Sequence, residues 1–221
     1  MNYFSKNNQN LKITAIFGGT FDPIHYGHLI PIERLAIQIG LKNIILIPNN
    51  QPTYRIPPKT NIMQRLHMIN LAIQNHPLFT IDTREIKHKT FTNTIETLKS
   101  FRKEIGWNNS LIYIIGQDSL LSLYTWYKWS KILNFCHLIV CARPGYMNIR
   151  KHFVINNWIN DHIIYNHNIL HKTAYGYIYF SHTPLLNISS TIIRNYKLNN
   201  YNFTSIMPSN VLKYIYKYNI Y

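Results

Sequence analysis

Thirteen residues, Ile16 to His28, constrain this chain more than any other stretch: Ile-Phe-Gly-Gly-Thr-Phe-Asp-Pro-Ile-His-Tyr-Gly-His. The apolar run Ile13, Ala15, Ile16 and Phe17 predicts a buried strand, Gly18-Gly19 ends it, and His25 and His28 stand where an amphipathic helix begins. Glycines after a strand let backbone N–H groups approach a bound anion, and a helix N-terminus adds unpaired donors and a favourable dipole. Two imidazoles three residues apart at that place can face one anion. The stretch therefore reads as a phosphate site that also carries titratable groups. Plainer accounts compete with it: a turn for the glycines, a surface or capping position for each histidine. Histidines at i and i+3 also supply half of a metal site, but no Cys or carboxylate lies at matching spacing, so no metal ligand is assigned. No Gly-Lys-Ser/Thr closes the loop, which argues against a Walker-type phosphate loop.

Six apolar runs alternate with amphipathic segments. Ile13–Phe17, Ile44–Ile47, Leu78–Ile81, Leu111–Ile115, Leu138–Ala142 and Tyr177–Phe180 read as strands, and helices are expected at about 28–39, 61–75, 94–105, 119–133, 190–197 and 208–218. The alternation predicts an α/β fold, Rossmann-like and doubly wound around a mostly parallel sheet. Ligands of such sheets sit beyond the C-terminal strand ends, near the reversal in strand order. The material placed there is Gly18-Gly19, Pro48-Asn49-Asn50, Gly116-Gln117-Asp118 and Ser189-Ser190-Thr191. Residues 143–176 are less readable, and His152, His162, His167 and His171 within them, lacking ligand-like spacing, read as solvated positions.

With 221 residues, 46% of them hydrophobic, the chain is expected to form a single domain over 1–221, with the polar stretch 1–10 as a flexible tail. No apolar run approaches the ~18 residues of a membrane span, and the N-terminus carries no signal-like apolar region. Cys136 and Cys141 flank one short strand, too far apart for an unstrained bridge, so free thiols in a reducing cytoplasm are expected. The net charge of +15 is spread along the chain with no clustered stripe. That distribution favours attraction of polyanionic nucleotides over a nucleic-acid-binding patch.

A second phosphate element is Ile188-Ser-Ser-Thr-Ile-Ile-Arg194, a strand exit that opens a helix. Ser189 or Ser190 would cap it. Arg194, four residues after Ser190, shares the helix face of the cap and can offer a charged fork to a polyphosphate held there.

Residues 18–28 resemble the G-G-x-F-D-P-x-H-x-G-H signature of the HxGH nucleotidyltransferases, filled by Gly18, Gly19, Phe21, Asp22, Pro23, His25, Gly27 and His28. The superfamily's I-S-S-T-x-I-R is complete as Ile188, Ser189, Ser190, Thr191, Ile193 and Arg194. Ile47-Pro-Asn-Asn50, Ile114-Ile-Gly-Gln-Asp-Ser-Leu120, Thr125-Trp-Tyr127 and Val140-Cys-Ala-Arg-Pro-Gly145 are similar to the bacterial nicotinate-nucleotide adenylyltransferases, from about residue 12 to the end. The resemblance implies a nucleotidyltransferase-type fold and transfer of AMP from ATP to nicotinate mononucleotide in NAD biosynthesis. Mg²⁺ would accompany ATP without a dedicated protein ligand. It also implies roles. His25, His28 and Arg194 act on the phosphates, and Gly18, Gly19, Phe21, Gly116, Asp118, Ser189, Ser190 and Thr191 bind ATP. Thr20, Asn49, Thr94, Trp126 and Tyr127 hold the nicotinate nucleotide. Two departures bear on substrate affinity: Pro52-Thr53-Tyr54-Arg55 lacks the family's histidine, and Thr92-Asn93-Thr94 lacks its aromatic. Nicotinamide mononucleotide or phosphopantetheine are the alternative acceptors, although phosphopantetheine enzymes are shorter.

Overall fold

Every second residue of a strand points to the same sheet face, so a run that is apolar throughout supplies two cores at once. That is how five of the six runs are used; the third, Leu78–Ile81, packs into one core alone and leaves Thr80 exposed. The computed structural model describes residues 11–50, 57–87, 93–141, 153–181, 183, 186–198 and 205–221. In chain order the main elements are β1 (Ile13–Gly19), α1 (Tyr26–Ile39), β2 (Ile44–Pro48), α2 (Ile62–Ile73), β3 (Phe79–Ile81) and α3 (Arg84–Lys87). There follow α4 (Thr94–Ile105), β4 (Ser110–Gly116), α5 (Gln117–Leu121), β5 (His137–Cys141), α6 (Phe153–His162), β6 (Ile163–Ile164), β7 (Ile178–Ser181), α7 (Ser190–Leu198) and α8 (Ser209–Lys217).

The strands form one seven-stranded sheet in the order β3-β2-β1-β4-β5-β7-β6, with every neighbouring pair parallel. On one face Ala15, Leu46, Ile112, Ile114 and Ile139 pack with Leu35 and Ile39 of α1, Met68 and Ile69 of α2, and Val211 and Ile215 of α8. The other face buries Ile16, Ile47, Tyr113, Ile115, Leu138 and Val140 against Leu98 and Phe101 of α4 and Ile155 and Ile159 of α6. The sheet is thus doubly wound. The chain moves outward through β2 and β3, then restarts at β4 on the opposite side of β1, so strand order reverses between β1 and β4.

Local chemistry sets the helix ends. Asn61 and Gln64 form a reciprocal capping box at α2, Asn93 accepts from the Glu96 amide at α4, and Gly40 ends α1 in the left-handed conformation with φ 71°. Cys136 and Cys141 are free and buried. Among the described residues no helix is long and apolar enough to cross a membrane.

Three expectations need correction. The helix expected over 119–133 is broken into α5 and two short 3₁₀ segments, Leu123–Thr125 and Trp129–Asn134. There the Ser122 hydroxyl donates back to the Ser119 carbonyl at 3.2 Å, Thr125 does the same to Ser122 at 2.7 Å, and Lys128 turns the chain with φ 50°. The stretch 143–176, unread as a sequence, contains α6 and the two-residue β6 in its described part. Within it His162 and His171 are not simply solvated: their rings bond the Trp158 carbonyl at 2.7 Å and the Ile39 carbonyl at 2.9 Å. His152, the expected tail 1–10, Pro52-Thr-Tyr-Arg55, Thr92 and Ala142-Arg-Pro-Gly145 lie outside the described residues.

Candidate active site

A cavity of about 790 Å³ opens at the C-terminal ends of β1 and β4, where the strand order reverses. Its volume is that of a small-molecule site. Gly18, Gly19, Thr20, Phe21, Asp22, His25 and His28 contribute from the first motif, Ser189, Ser190, Thr191 and Arg194 from the second, and Gly116 and Asp118 from the β4 exit. Two stretches about 160 residues apart in sequence therefore meet on one concave surface.

Helix α1 starts at Tyr26, two residues before the expected position, so His25 is its N-cap with extended backbone and His28 lies in its first turn. The two rings stack with centroids 3.7 Å apart. Phe21 meets the His28 ring edge-on at 5.2 Å and Phe17 leans on it at 6.3 Å, which holds the imidazole in one orientation. Between the histidines only glycine fits. A Cβ on Gly27 would stand 2.8 Å from the Ile188 carbonyl oxygen and 2.9 Å from the His25 ring, at the point where the two motifs touch.

The second motif is bound to the first by direct hydrogen bonds. Ser189 is the cap of α7, accepting from the Ile192 amide at 3.2 Å, whereas Ser190 donates to the Pro23 carbonyl at 3.0 Å. Arg194 donates through Nη1 to the Asp22 carbonyl at 2.6 Å and through Nη2 to Thr191 Oγ1 at 3.1 Å, while the Asp22 carboxylate lies 4.0 Å away. The guanidinium is thus oriented but remains part of the cavity wall.

Not every residue singled out in the sequence reaches this wall. Asn49 stands behind it, its amide nitrogen donating to Thr20 Oγ1 at 3.2 Å. Trp126 is buried and meets Tyr113 edge-on at 6.5 Å, and Tyr113 in turn packs against Gly18, so one ring separates Trp126 from the cavity. Thr94 opens α4, and Tyr127 is exposed with Lys128 Nζ 4.9 Å from its ring centroid.

Sequence reading missed three groups. Arg65, 1% exposed on α2, donates to the Thr20 and Asn49 carbonyls at 2.8 Å and to Asn50 at 2.6 Å. It ties the loops after β1 and β2 together; burial lowers its pKa and the Asp22 charge opposes that shift. An arginine beside Met68 and Ile69 on an apolar helix face was the available signal. Lys59 lines the cavity, and Tyr221 bonds Asp22 from another part of the chain; neither sits in a recognisable pattern.

The arrangement places two imidazoles, one guanidinium and two helix N-termini around a space large enough for a nucleotide, which suits binding and charge stabilisation of a polyphosphate. Comparison with known proteins agrees. Residues 16–196 match the cytidylyltransferase-like family. Two proteins named "probable nicotinate-nucleotide adenylyltransferase" are similar over nearly their full lengths. The one from Yersinia enterocolitica is 48% identical over 91% of each chain, and the one from Pectobacterium atrosepticum is 44% identical over 95% of this chain and 99% of that protein. Among solved structures, the nicotinic acid mononucleotide adenylyltransferase of Plasmodium falciparum complexed with NaAD shares the fold. Its TM-score is 0.68 at 18% identity, covering 95% of this chain and 97% of that one.

Proposed function

The chain belongs to the cytidylyltransferase-like family and, within it, to the nicotinate-nucleotide adenylyltransferases, and from that premise we propose how its cavity works. It transfers AMP from ATP to nicotinate mononucleotide, giving deamido-NAD and pyrophosphate in NAD biosynthesis. ATP enters as its Mg²⁺ complex, and the reaction is cytoplasmic.

The observation that carries the residue assignment is the convergence of His25, His28 and Arg194 on one cavity at the β1/β4 reversal. A 5′-phosphate oxygen of the mononucleotide attacks the α-phosphorus in line; the bond from that phosphorus to the pyrophosphate oxygen breaks as the new P–O bond forms. The attacking phosphate is already ionised at neutral pH, so the protein needs no general base. Its task is alignment and charge stabilisation. His25 and His28 donate to the oxygens that gain charge at the α-phosphorus. Arg194 and the capped end of α7 hold the β- and γ-phosphates, Gly18 and Gly19 allow close approach, and Gly116 and Asp118 face the adenosine ribose.

The nicotinate nucleotide lies toward Thr20 and Asn49. Two features support this. Asn49 stands behind Thr20, which lines the cavity, and its amide donates to the Thr20 hydroxyl at 3.2 Å, holding that hydroxyl in place. Tyr113 and Trp126 form an aromatic layer behind Gly18; Thr94 opens α4 and Tyr127 lies in the turn between the two 3₁₀ segments. A flat pyridinium ring gains from an aromatic face.

Pyrophosphate release from ATP, measured side by side with nicotinate mononucleotide, nicotinamide mononucleotide and phosphopantetheine, tests the reading. Turnover with the nicotinate nucleotide well above the other two is the expected result; a preference for either alternative overturns the acceptor assignment.

A further inference from the structure

The Asp22 carboxylate, 4% exposed, receives three hydrogen bonds from two distant parts of the chain. The Lys59 amide donates to Oδ2 at 2.7 Å, and the Thr60 and Tyr221 hydroxyls donate to Oδ1 at 2.6 and 2.7 Å. Tyr221 arrives there by a definite route. After α8 the chain turns through Asn219 at φ 47°, buries Ile220, and directs the tyrosine ring inward against the first motif. Burial beside Asp22 raises the tyrosine's pKa, so its hydroxyl keeps the proton that it donates.

The same carboxylate stands 4.0 Å from Arg194, a guanidinium whose Nη1 is already bonded to the Asp22 main-chain oxygen. In a poorly solvated site a carboxylate with open lone pairs draws a neighbouring guanidinium into a short, two-pronged pair. That pairing would withdraw Arg194 from the cavity. The oxygen 4.0 Å from Arg194 is Oδ2, which accepts from the Lys59 amide; the two hydroxyls fill Oδ1, disperse the carboxylate charge and deny the guanidinium the second oxygen that a two-pronged pair needs.

We propose that Tyr221 is a positioning residue: by saturating Asp22 it keeps Arg194 available to the phosphates of the nucleotide. This rests on the reading that the cavity holds ATP. Tyr221 touches no substrate in this scheme and acts only through Asp22.

The test uses the full chain and two readouts, ATP affinity by calorimetry without acceptor and steady-state kinetics with ATP and nicotinate mononucleotide. Tyr221→Phe keeps the ring and removes only the hydroxyl. It is expected to raise the ATP Kd and KM about three- to tenfold, the size of one lost hydrogen bond, with kcat within about twofold of wild type and the mononucleotide KM unchanged. Thr60→Val, which strips the other hydroxyl from the same oxygen, shifts ATP affinity in the same direction and serves if the Tyr221 variant does not fold. In an Asp22→Asn background, where no carboxylate competes for Arg194, Tyr221→Phe adds nothing further. A lowered melting temperature with unchanged ATP affinity makes Tyr221 a packing residue and overturns the proposal. So does a full-sized effect that persists in the Asp22→Asn background. Wild-type protein that neither binds ATP nor turns over would instead sink the functional reading beneath it.

Discussion

At the N-terminal rim of the sheet Arg102, 2% exposed, donates to the carbonyls of Phe135, Gly106, Asn109 and Ala174 at 2.6 to 2.9 Å. At the C-terminal rim Arg65 does the same for Thr20, Asn49 and Asn50. Each buried arginine gathers carbonyls of the loops, of which, among the described residues, Ala174 alone also accepts from a strand amide, that of Leu111, because strands end at both rims and leave backbone oxygens behind. Beyond that the rims diverge. The N-terminal one also consumes its histidine: His137 is fully buried, its Nδ1 accepts from the Tyr177 amide at 3.2 Å, and its Nε2 therefore carries the proton donated to the Thr173 carbonyl at 3.0 Å. The C-terminal rim leaves two histidines and Arg194 on a cavity wall. The same residue types close one end of the sheet and equip the other, and the difference is whether the loops meet or splay. Loops splay where the strand order reverses, and only the end toward which the strands run offers the helix N-termini that follow them.

Removing the two arginines is the most severe way to test that contrast. Arg102→Ala leaves the Phe135, Gly106 and Asn109 carbonyls without the donor they share and is expected to lower stability by about 3–5 kcal/mol, with kcat/KM of the remaining folded protein unchanged. Arg65→Ala should destabilise comparably and also depress kcat/KM, because Thr20 and Asn49 lose their anchor; denaturant melts paired with active-site-corrected kinetics separate the two. Equal effects on activity would erase the distinction between the rims. Next in size, His28→Ala should lower kcat by on the order of 10²–10³ while the melting temperature stays near wild type. A variant with near-normal turnover would remove His28 from the chemistry.

A third comparison uses pH. Burial holds His137 down to about 4, against about 6.5 in an unfolded chain. Between those values the unfolded state binds a proton that the native state refuses, so stability falls as pH drops from about 6.5 to about 4, by up to about 3 kcal/mol, and is unaffected above 6.5. Glu85, pushed up to about 7 by burial, acts in the opposite sense, losing stability as pH rises from about 4.5 to 7. The informative quantity is therefore the difference between wild type and His137→Gln across pH 4 to 7, which should flatten the acid limb specific to the histidine. Smallest of the four, Arg194→Ala should raise the KM for ATP about tenfold and slow turnover, leaving the pH profile of stability unchanged. Unchanged ATP kinetics would exclude Arg194 from the site.

All six strands read from the sequence are present: five are buried on both faces and so are apolar nearly throughout, a run visible in one dimension, while β3, with Thr80 exposed, shows as a short alternation. β6 escaped detection because two residues carry no period. The 119–133 segment looked helical because its apolar residues repeat at a compatible spacing, and what breaks it, hydroxyls turning back onto their own backbone, is a local competition that hydrophobic pattern does not report. In the site the same line divides what was legible. The Gly-Gly loop, His25, His28 and Arg194 sit in short stretches whose spacing encodes their geometry. Arg65 and Tyr221 do not, since each acts on a loop that its own sequence neighbourhood never mentions.

By itself, then, the sequence determined which segments are buried strands, where phosphate-binding backbone occurs and which side chains could act there, all properties of a few consecutive residues. Only the tertiary structure decided that the two phosphate elements share one cavity, that Ser189 rather than Ser190 caps α7, and that a tyrosine 199 residues away from Asp22 closes the hydrogen bonding of its carboxylate. Local patterns set what a segment can form, whereas the pairing of distant groups depends on strand order and on burial, which make an unsatisfied charge too costly to leave and so select the partner that folding brings within reach.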